Sequence, residues 1–161
     1  HKAEVAVSYD PQKQNPALLA KVTTGLGYKT AIGAGLGSYE ATPQFASSAD
    51  LKVLTNTGAA LDVKEHLVKG KVTVFDFFAT WCGPCKKIDE AMSEILSQAP
   101  DVAYRKINIV DWKSEVSQRY LGKVPELPYV MIFGKDGQEI TRIAGLDLVQ
   151  LRSTIEKART Q

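Results

Sequence analysis

Val72-Thr73-Val74-Phe75-Asp76-Phe77-Phe78-Ala79 runs directly into Thr80-Trp81-Cys82-Gly83-Pro84-Cys85, and the stretch from Lys86 to Gln98 follows. The first block is dense in β-branched and aromatic residues and reads as a buried strand. The stretch after the cysteines reads as a helix. A Cys-x-x-Cys set between a strand and a helix is the setting a redox dithiol needs. The first thiol then lies at a helix N-terminus, where unpaired N–H groups carry partial positive charge and favour thiolate over thiol. The thiolate is the species that attacks disulfides. Gly83-Pro84 keeps the intervening turn tight, and proline suits a first helical turn, where its missing N–H is not needed.

Two other uses of the motif compete. Zinc asks for four ligands, usually two such pairs or one pair with histidines. Cys82 and Cys85 are the chain's only 2 cysteines, and its 2 histidines, His1 and His66, have ligand spacing to neither. A purely structural bridge between residues this close removes little chain entropy and stabilises weakly. Disulfide exchange is the use that fits, and no metal is assigned to the motif. Asp76 stands out inside the apolar run, because a buried carboxylate is costly without a partner or a task.

Working outward, Leu51 to Leu54 reads as a short strand and Asn56-Thr57-Gly58 as a turn. Leu61 to Val68 has helical spacing and is stopped by Gly70. Lys71 to Ala79 is the central strand, Asp101 to Ile109 the next one, and Ser114 to Leu121 a helix ended by Gly122. Pro128 to Phe133 and Glu139 to Ala144 form a hairpin around Gly134-Lys135-Asp136-Gly137, a strong turn signal. Leu148, Leu151 and Ile155 share one face of a closing helix, Leu146 to Ala158. Strand–helix–strand units followed by an antiparallel hairpin predict an α/β fold, a mixed central sheet with helices on both faces.

The segment 51–161 resembles the thioredoxin family. The residues that carry the likeness are Asp76 to Lys86, then Lys106-Ile107-Asn108-Ile109, then Leu127-Pro128-Tyr129-Val130, and Gly145. The resemblance implies a thioredoxin fold and a protein-disulfide reductase with no cofactor beyond the cysteine pair itself. By the same likeness Cys82 is the attacking nucleophile, nearer the helix start and solvent, and Cys85 the deeper thiol that resolves the mixed disulfide. Asp76 corresponds to the family's buried acid that moves the proton of the second thiol, and Lys106 to the lysine that pairs with that acid. A structural ion pair is the plainer alternative for the two. Trp81 either shields the dithiol or is ordinary half-buried packing.

Prolines matching Pro128 in the family are cis and face the dithiol, leaving the backbone of Leu127 to pair with an extended substrate. Pro125 competes for that role, but Pro128 abuts the strand. Trp81, Gly83, Pro84, Leu127 and Pro128 are thus the expected substrate surface. Glu90 stands where thioredoxins usually carry a helix-kinking proline, Leu127 replaces the usual Ile and Tyr129 the usual Thr. The loop before Pro128 is also longer. These departures predict a relative distinct from the general cytosolic reductase.

The remaining third of the chain reads differently. Glu4 to Tyr9 alternates as a strand. Asn15-Pro16 opens a helix with Leu18, Leu19, Val22 and Leu26 as its apolar stripe, and Tyr28 to Ala34 reads as a second strand. Val7 to Pro11 with Gly27-Tyr28-Lys29 resembles the second half of a heavy-metal-associated domain, a ferredoxin-like module, without the part that holds its metal. Residues 1–37 are therefore expected as a partial β-α-β segment that binds no metal, 38–50 as a linker, and 51–161 as the thioredoxin-like domain. One helix and two strands bury too little to stand alone, so the segment is expected to pack on the thioredoxin-like domain, pair with a second chain or be the remnant of a truncated parent; truncation, with an exposed edge that favours a homodimer, is the reading taken.

Partners follow from the same reading. Disulfide-containing proteins are the substrates and an upstream dithiol the electron donor. A metal-handling accessory role, reducing or loading a carrier's cysteines, is the alternative, and a non-catalytic interaction module a weaker one. Net charge is +2 with both signs mixed throughout, which gives nucleic acid no basic stripe. No apolar run approaches the roughly eighteen residues that span a bilayer. The fused N-terminal segment and the first residue, His1, favour a periplasmic location, with the cytoplasm as the alternative.

Overall fold

The computed structural model describes residues 12–13, 15–25, 43–124 and 126–160. The chain divides into two compact units, His1–Ala41 and Thr42–Gln161. In the first, helix α1 spans Pro16–Gly25. The Asn15 side chain caps it, accepting the Leu18 N–H at 2.9 Å. The expected strands at 4–9 and 28–34 lie outside the described residues.

The second unit is built on five strands: β1 (Leu51–Thr55), β2 (Val72–Phe78), β3 (Val102–Asn108), β4 (Tyr129–Phe133) and β5 (Glu139–Ala144). Their order in the sheet is β1-β3-β2-β4-β5. β3 runs parallel to both β1 and β2, whereas β4 runs antiparallel to β2 and β5. Helices α2 (Gly83–Gln98), α3 (Glu115–Leu121) and α4 (Leu148–Arg159) complete it. This is the mixed sheet expected of a thioredoxin fold.

Alternation along the central strands divides the core in two. Val72, Val74, Tyr104, Val130 and Ile132 pack with Ile88 and Met92 of α2 and with Leu151 and Ile155 of α4. Phe75, Phe77, Ile107, Met131 and Phe133 pack on the other face with Val116 and Leu121 of α3. Asp76 and Lys106 fall in the first series, two residues beyond Val74 and Tyr104, and so point to the face covered by α2 and α4.

One reading needs correction. The helix expected over Leu61 to Val68 is a single 3₁₀ turn, Val63–His66. Asp62 caps it by accepting the Lys64 N–H, and Leu67 has already turned extended (φ −63°, ψ 142°). The expected linker 38–50 is seated at its C-terminal end. Phe45 and Ala49 pack against the first core cluster, with the Phe45 ring 5.9 Å from that of Tyr104. The Asp50 carboxylate pairs with Lys71 and Arg105, each at 2.8 Å.

Candidate active site

β2 ends at Phe78, and Trp81, Cys82, Gly83 and Pro84 carry the chain into α2. Cys82 and Cys85 are joined as a disulfide, S–S 2.03 Å and Cα–Cα 5.4 Å. Cys82 is the N-cap of α2, its Sγ accepting the Cys85 N–H at 3.2 Å. Negative charge on this sulfur is therefore met by a backbone N–H and by the positive end of a 16-residue helix. Both cysteines are buried, 5% and 3% exposed, so the expected contrast in depth is small. Gly83 and Pro84, by contrast, are exposed.

Trp81 is 55% exposed and therefore neither buried nor half-buried packing. Its indole N–H donates to the Val110 carbonyl at 2.8 Å. Val110 holds a left-handed backbone, φ 62°, which a β-branched residue adopts only under constraint. Trp112, which the sequence reading passed over, stands 6.1 Å from Trp81 ring to ring. Together they form an exposed aromatic shoulder next to the motif. Its sequence signal was a tryptophan in the polar loop Val110-Asp111-Trp112-Lys113, where an apolar side chain has no core to fill.

The Leu127–Pro128 peptide is cis. Pro128 is buried, Leu127 half-buried, and Pro125 lies outside the described residues. The Pro128 carbonyl accepts the Gly145 N–H at 2.9 Å, which ties the loop to the turn before α4. Gly145 has φ +78°, and a Cβ there would meet Glu126 Oε1 at 2.5 Å.

β2, β3 and α2 together hold a buried polar cluster. Asp76 is fully buried, and its Oδ1 has no hydrogen-bond partner. Its Oδ2 lies 2.7 Å from the Tyr104 hydroxyl, which is also 2.9 Å from Asp89 Oδ1. Lys106 stands opposite Asp76 in the β2–β3 register. The expected Lys106–Asp76 pair is nevertheless corrected: the Lys106 ammonium sits 2.5 Å from both oxygens of Asp89 on α2. A long side chain reaches past its strand neighbour to a carboxylate it can grip with two hydrogen bonds. The same ammonium lies 4.3 Å from the centre of the Phe78 ring, within cation–π range. Burial pushes the Asp76 carboxyl up to about 7, opposed by the Lys106 charge and the Tyr104 hydrogen bond and reinforced by the Asp89 charge. Burial likewise pushes the Tyr104 phenol well above its ordinary range, with the two carboxylates adding to the effect, so it remains a neutral hydroxyl.

A buried disulfide whose first sulfur caps a helix N-terminus, set between a central strand and that helix, defines a thiol–disulfide oxidoreductase. The thioredoxin family model matches residues 53–157, and the chain belongs to that family. Thioredoxin-2 of Saccharomyces cerevisiae is 36% identical over 104 residues, which is 64% of this chain and 96% of the relative. The mitochondrial thioredoxin-2 of Schizosaccharomyces pombe is 34% identical over 113 residues, 70% of this chain and 82% of the relative. Oxidised thioredoxin O2 from Arabidopsis thaliana superposes with a TM-score of 0.53 at 30% identity, covering 71% of this chain and 97% of that one.

Family membership makes the protein an enzyme that acts on disulfide substrates and is re-reduced by a dithiol donor, with its own cysteines as the redox group. Among the described residues no group of three or more His, Cys, Asp or Glu is placed to hold a metal ion, and no helix is long and apolar enough to cross a membrane. The expected periplasmic location is overturned. The relatives include thioredoxins of yeasts and plants, one of them named mitochondrial. A dithiol motif and a mixed-charge surface impose no compartment, and the cytoplasmic alternative fits these relatives.

Proposed function

We propose that this chain reduces protein disulfides with Cys82 as nucleophile, Cys85 as resolving thiol and Asp76 as acceptor of the Cys85 proton. The observation that carries the assignment is the Cys82 sulfur capping α2, and a fully buried carboxyl with an unpartnered Oδ1, Asp76 on β2, supports the proton acceptor. In the reduced protein the Cys82 thiolate attacks one sulfur of the substrate disulfide. That bond breaks, and the departing thiolate takes a proton from solvent. Cys85 then passes its proton to Asp76, and its sulfur attacks Cys82 Sγ. The Cys82–Cys85 bond forms and the second substrate thiolate leaves. Two electrons pass to the substrate, and a dithiol donor returns them by the reverse exchange.

Trp81, Gly83, Pro84, Leu127 and Pro128 are assigned to the substrate surface. Exposure of Trp81, Gly83 and Pro84 beside the dithiol supports this, as does Leu127 being only half-buried. Lys106 is assigned to the charge balance of the buried acid. The test is reduction of a disulfide-bonded protein with dithiothreitol as donor, followed across pH. Cys82→Ser should fall to the uncatalysed rate, and Asp76→Asn should flatten an inflection near pH 7, the value to which burial raises this carboxyl. An unchanged profile in Asp76→Asn removes the proton-acceptor role.

The division into a partial heavy-metal-associated-like segment (1–37), a linker (38–50) and the thioredoxin-like domain (51–161) is likewise proposed. It is supported by the family match beginning at Val53. A homodimer through the first segment belongs with it. A monomer by light scattering over a wide concentration range would remove that dimer.

A further inference from the structure

One hydroxyl proton stands between two carboxylates. Tyr104 Oη is 2.7 Å from Asp76 Oδ2 and 2.9 Å from Asp89 Oδ1, yet a phenol has only one proton to donate. One of the contacts must therefore be made by a carboxyl proton given to the phenol oxygen. Asp89 takes the Lys106 ammonium on both oxygens and is the ionised partner. The extra proton therefore belongs on Asp76 Oδ2, donated to Tyr104, which donates in turn to Asp89. When Asp76 gives up that proton, the two carboxylates compete for the single phenol proton.

We propose that Tyr104 and Asp89 are positioning residues for the thiol chemistry, setting how firmly Asp76 holds its proton. Tyr104 does so through its hydroxyl on Oδ2, and Asp89 by engaging the Lys106 ammonium that would otherwise neutralise Asp76. The proposal rests on Asp76 as the acceptor of the Cys85 proton. The geometry carries it further than a generic ion pair does. The two oxygens of Asp76 differ: Oδ2 is held by the Tyr104 hydroxyl, and Oδ1 has no partner among the described residues. The charged and titratable groups acting on Asp76 are Lys106 and Tyr104 from β3 and Asp89 from α2. Its neighbour on β4 is the apolar Val130. All four polar groups are buried, so their mutual effects are weakly screened.

The two residues pull in opposite directions, which makes the proposal testable. Removing the Asp89 charge frees Lys106 to stabilise the Asp76 carboxylate. Removing the Tyr104 hydroxyl takes away the hydrogen bond that the ionised form receives. The experiment follows the Asp76 carboxyl by carbon-13 NMR across pH in the intact protein, with the pH profile of disulfide reduction measured in parallel. In Asp89→Asn the Asp76 midpoint should move down by about one pH unit, and in Tyr104→Phe up by about one. The reduction profile should move with each. Midpoints that stay fixed, or that move the same way in both variants, overturn the proposal while leaving Asp76 as acceptor intact. Midpoints that move as stated, with an unmoved reduction profile that Asp76→Asn also fails to change, uphold the positioning of the proton and remove the acceptor role.

Discussion

Asp76→Asn should make this protein more stable at every pH above about 4, with the gain growing until about pH 7 and constant beyond it. The carboxyl is fully buried, and burial raises it from an ordinary 3.8 to about 7. Its pKa is therefore higher in the folded than in the unfolded chain. The native state binds the proton more tightly, and the associated stability is complete below about pH 4 and lost as pH climbs through about 7. At 1.36 kcal/mol per pH unit the interval amounts to about 4 kcal/mol. Asparagine imitates the protonated acid: its amide N–H can donate to Tyr104 where the carboxyl proton did. The variant should thus match the parent near pH 4 and exceed it by about 4 kcal/mol above pH 8. Guanidinium chloride unfolding of the oxidised protein at the two pH values measures the difference, a midpoint shift of about 1 M at the alkaline end. Titrating groups remote from Asp76 are common to both proteins and cancel in the comparison. An equal effect at the two pH values, or a loss at alkaline pH, would refute the reasoning that burial dominates this carboxyl.

Three further outcomes follow from the site. Cys85→Ser should keep the first attack and accumulate a covalent mixed disulfide through Cys82 on non-reducing gels, whereas Cys82→Ser should trap nothing. Trp81→Ala should raise KM by roughly tenfold with kcat little changed, because a large aromatic contact contributes about 1.4 kcal/mol or more to binding. Its effect on unfolding should stay within about 1 kcal/mol, since the ring is mostly exposed and has one hydrogen bond, to Val110. Gly145→Ala should cost about 1–2 kcal/mol in denaturant unfolding for placing a Cβ at φ +78°. Adding Glu126→Ala should recover little of that, because the clashing carboxylate is the end of a movable side chain while the backbone strain is fixed.

The fold was legible where a single period governed a segment. β2 reads as a run of Val and Phe because helices cover both faces of the central strand. The β4–β5 hairpin announces itself by Gly134 and Gly137 flanking Lys135-Asp136, and Gly137 does take the left-handed turn, φ +79°. The helix misread over Leu61 to Val68 shows the limit of periodicity. Val63 is buried and Leu67 and Val68 half-buried, so the apolar spacing is real. The backbone nonetheless leaves the helix after one turn, because the Val68 N–H is taken by Thr73 Oγ1 of the neighbouring strand at 3.1 Å. A hydrogen bond supplied by another element cannot be seen in a window of eight residues.

The site was legible by chemical anomaly, and its hidden half by an anomaly not weighed. Asp76 could be picked out because a carboxylate interrupts an apolar strand. Asp89 breaks a helix stripe in the same way. Cys85, Ile88, Asp89 and Met92 occupy successive positions of one buried face, at i, i+3, i+4 and i+7. Its neighbours Lys87 and Glu90 pair with each other at 2.9 Å, which makes the whole string look like a solvated surface. Tyr104 reads as one more core aromatic, and only its hydroxyl reveals that a polar group lies opposite. Lys106 was found, but its partner was assigned from the family likeness, which names Asp76, and the reach across to Asp89 on α2 was not seen. Two carboxylates and one ammonium share this interior, so a single positive charge cannot neutralise both acids. Asp89 holds the ammonium with two hydrogen bonds, and the remaining acid is left to be neutral near pH 7. An acid in that condition can both take up and release a proton at physiological pH, which is what the second thiol requires of its neighbour.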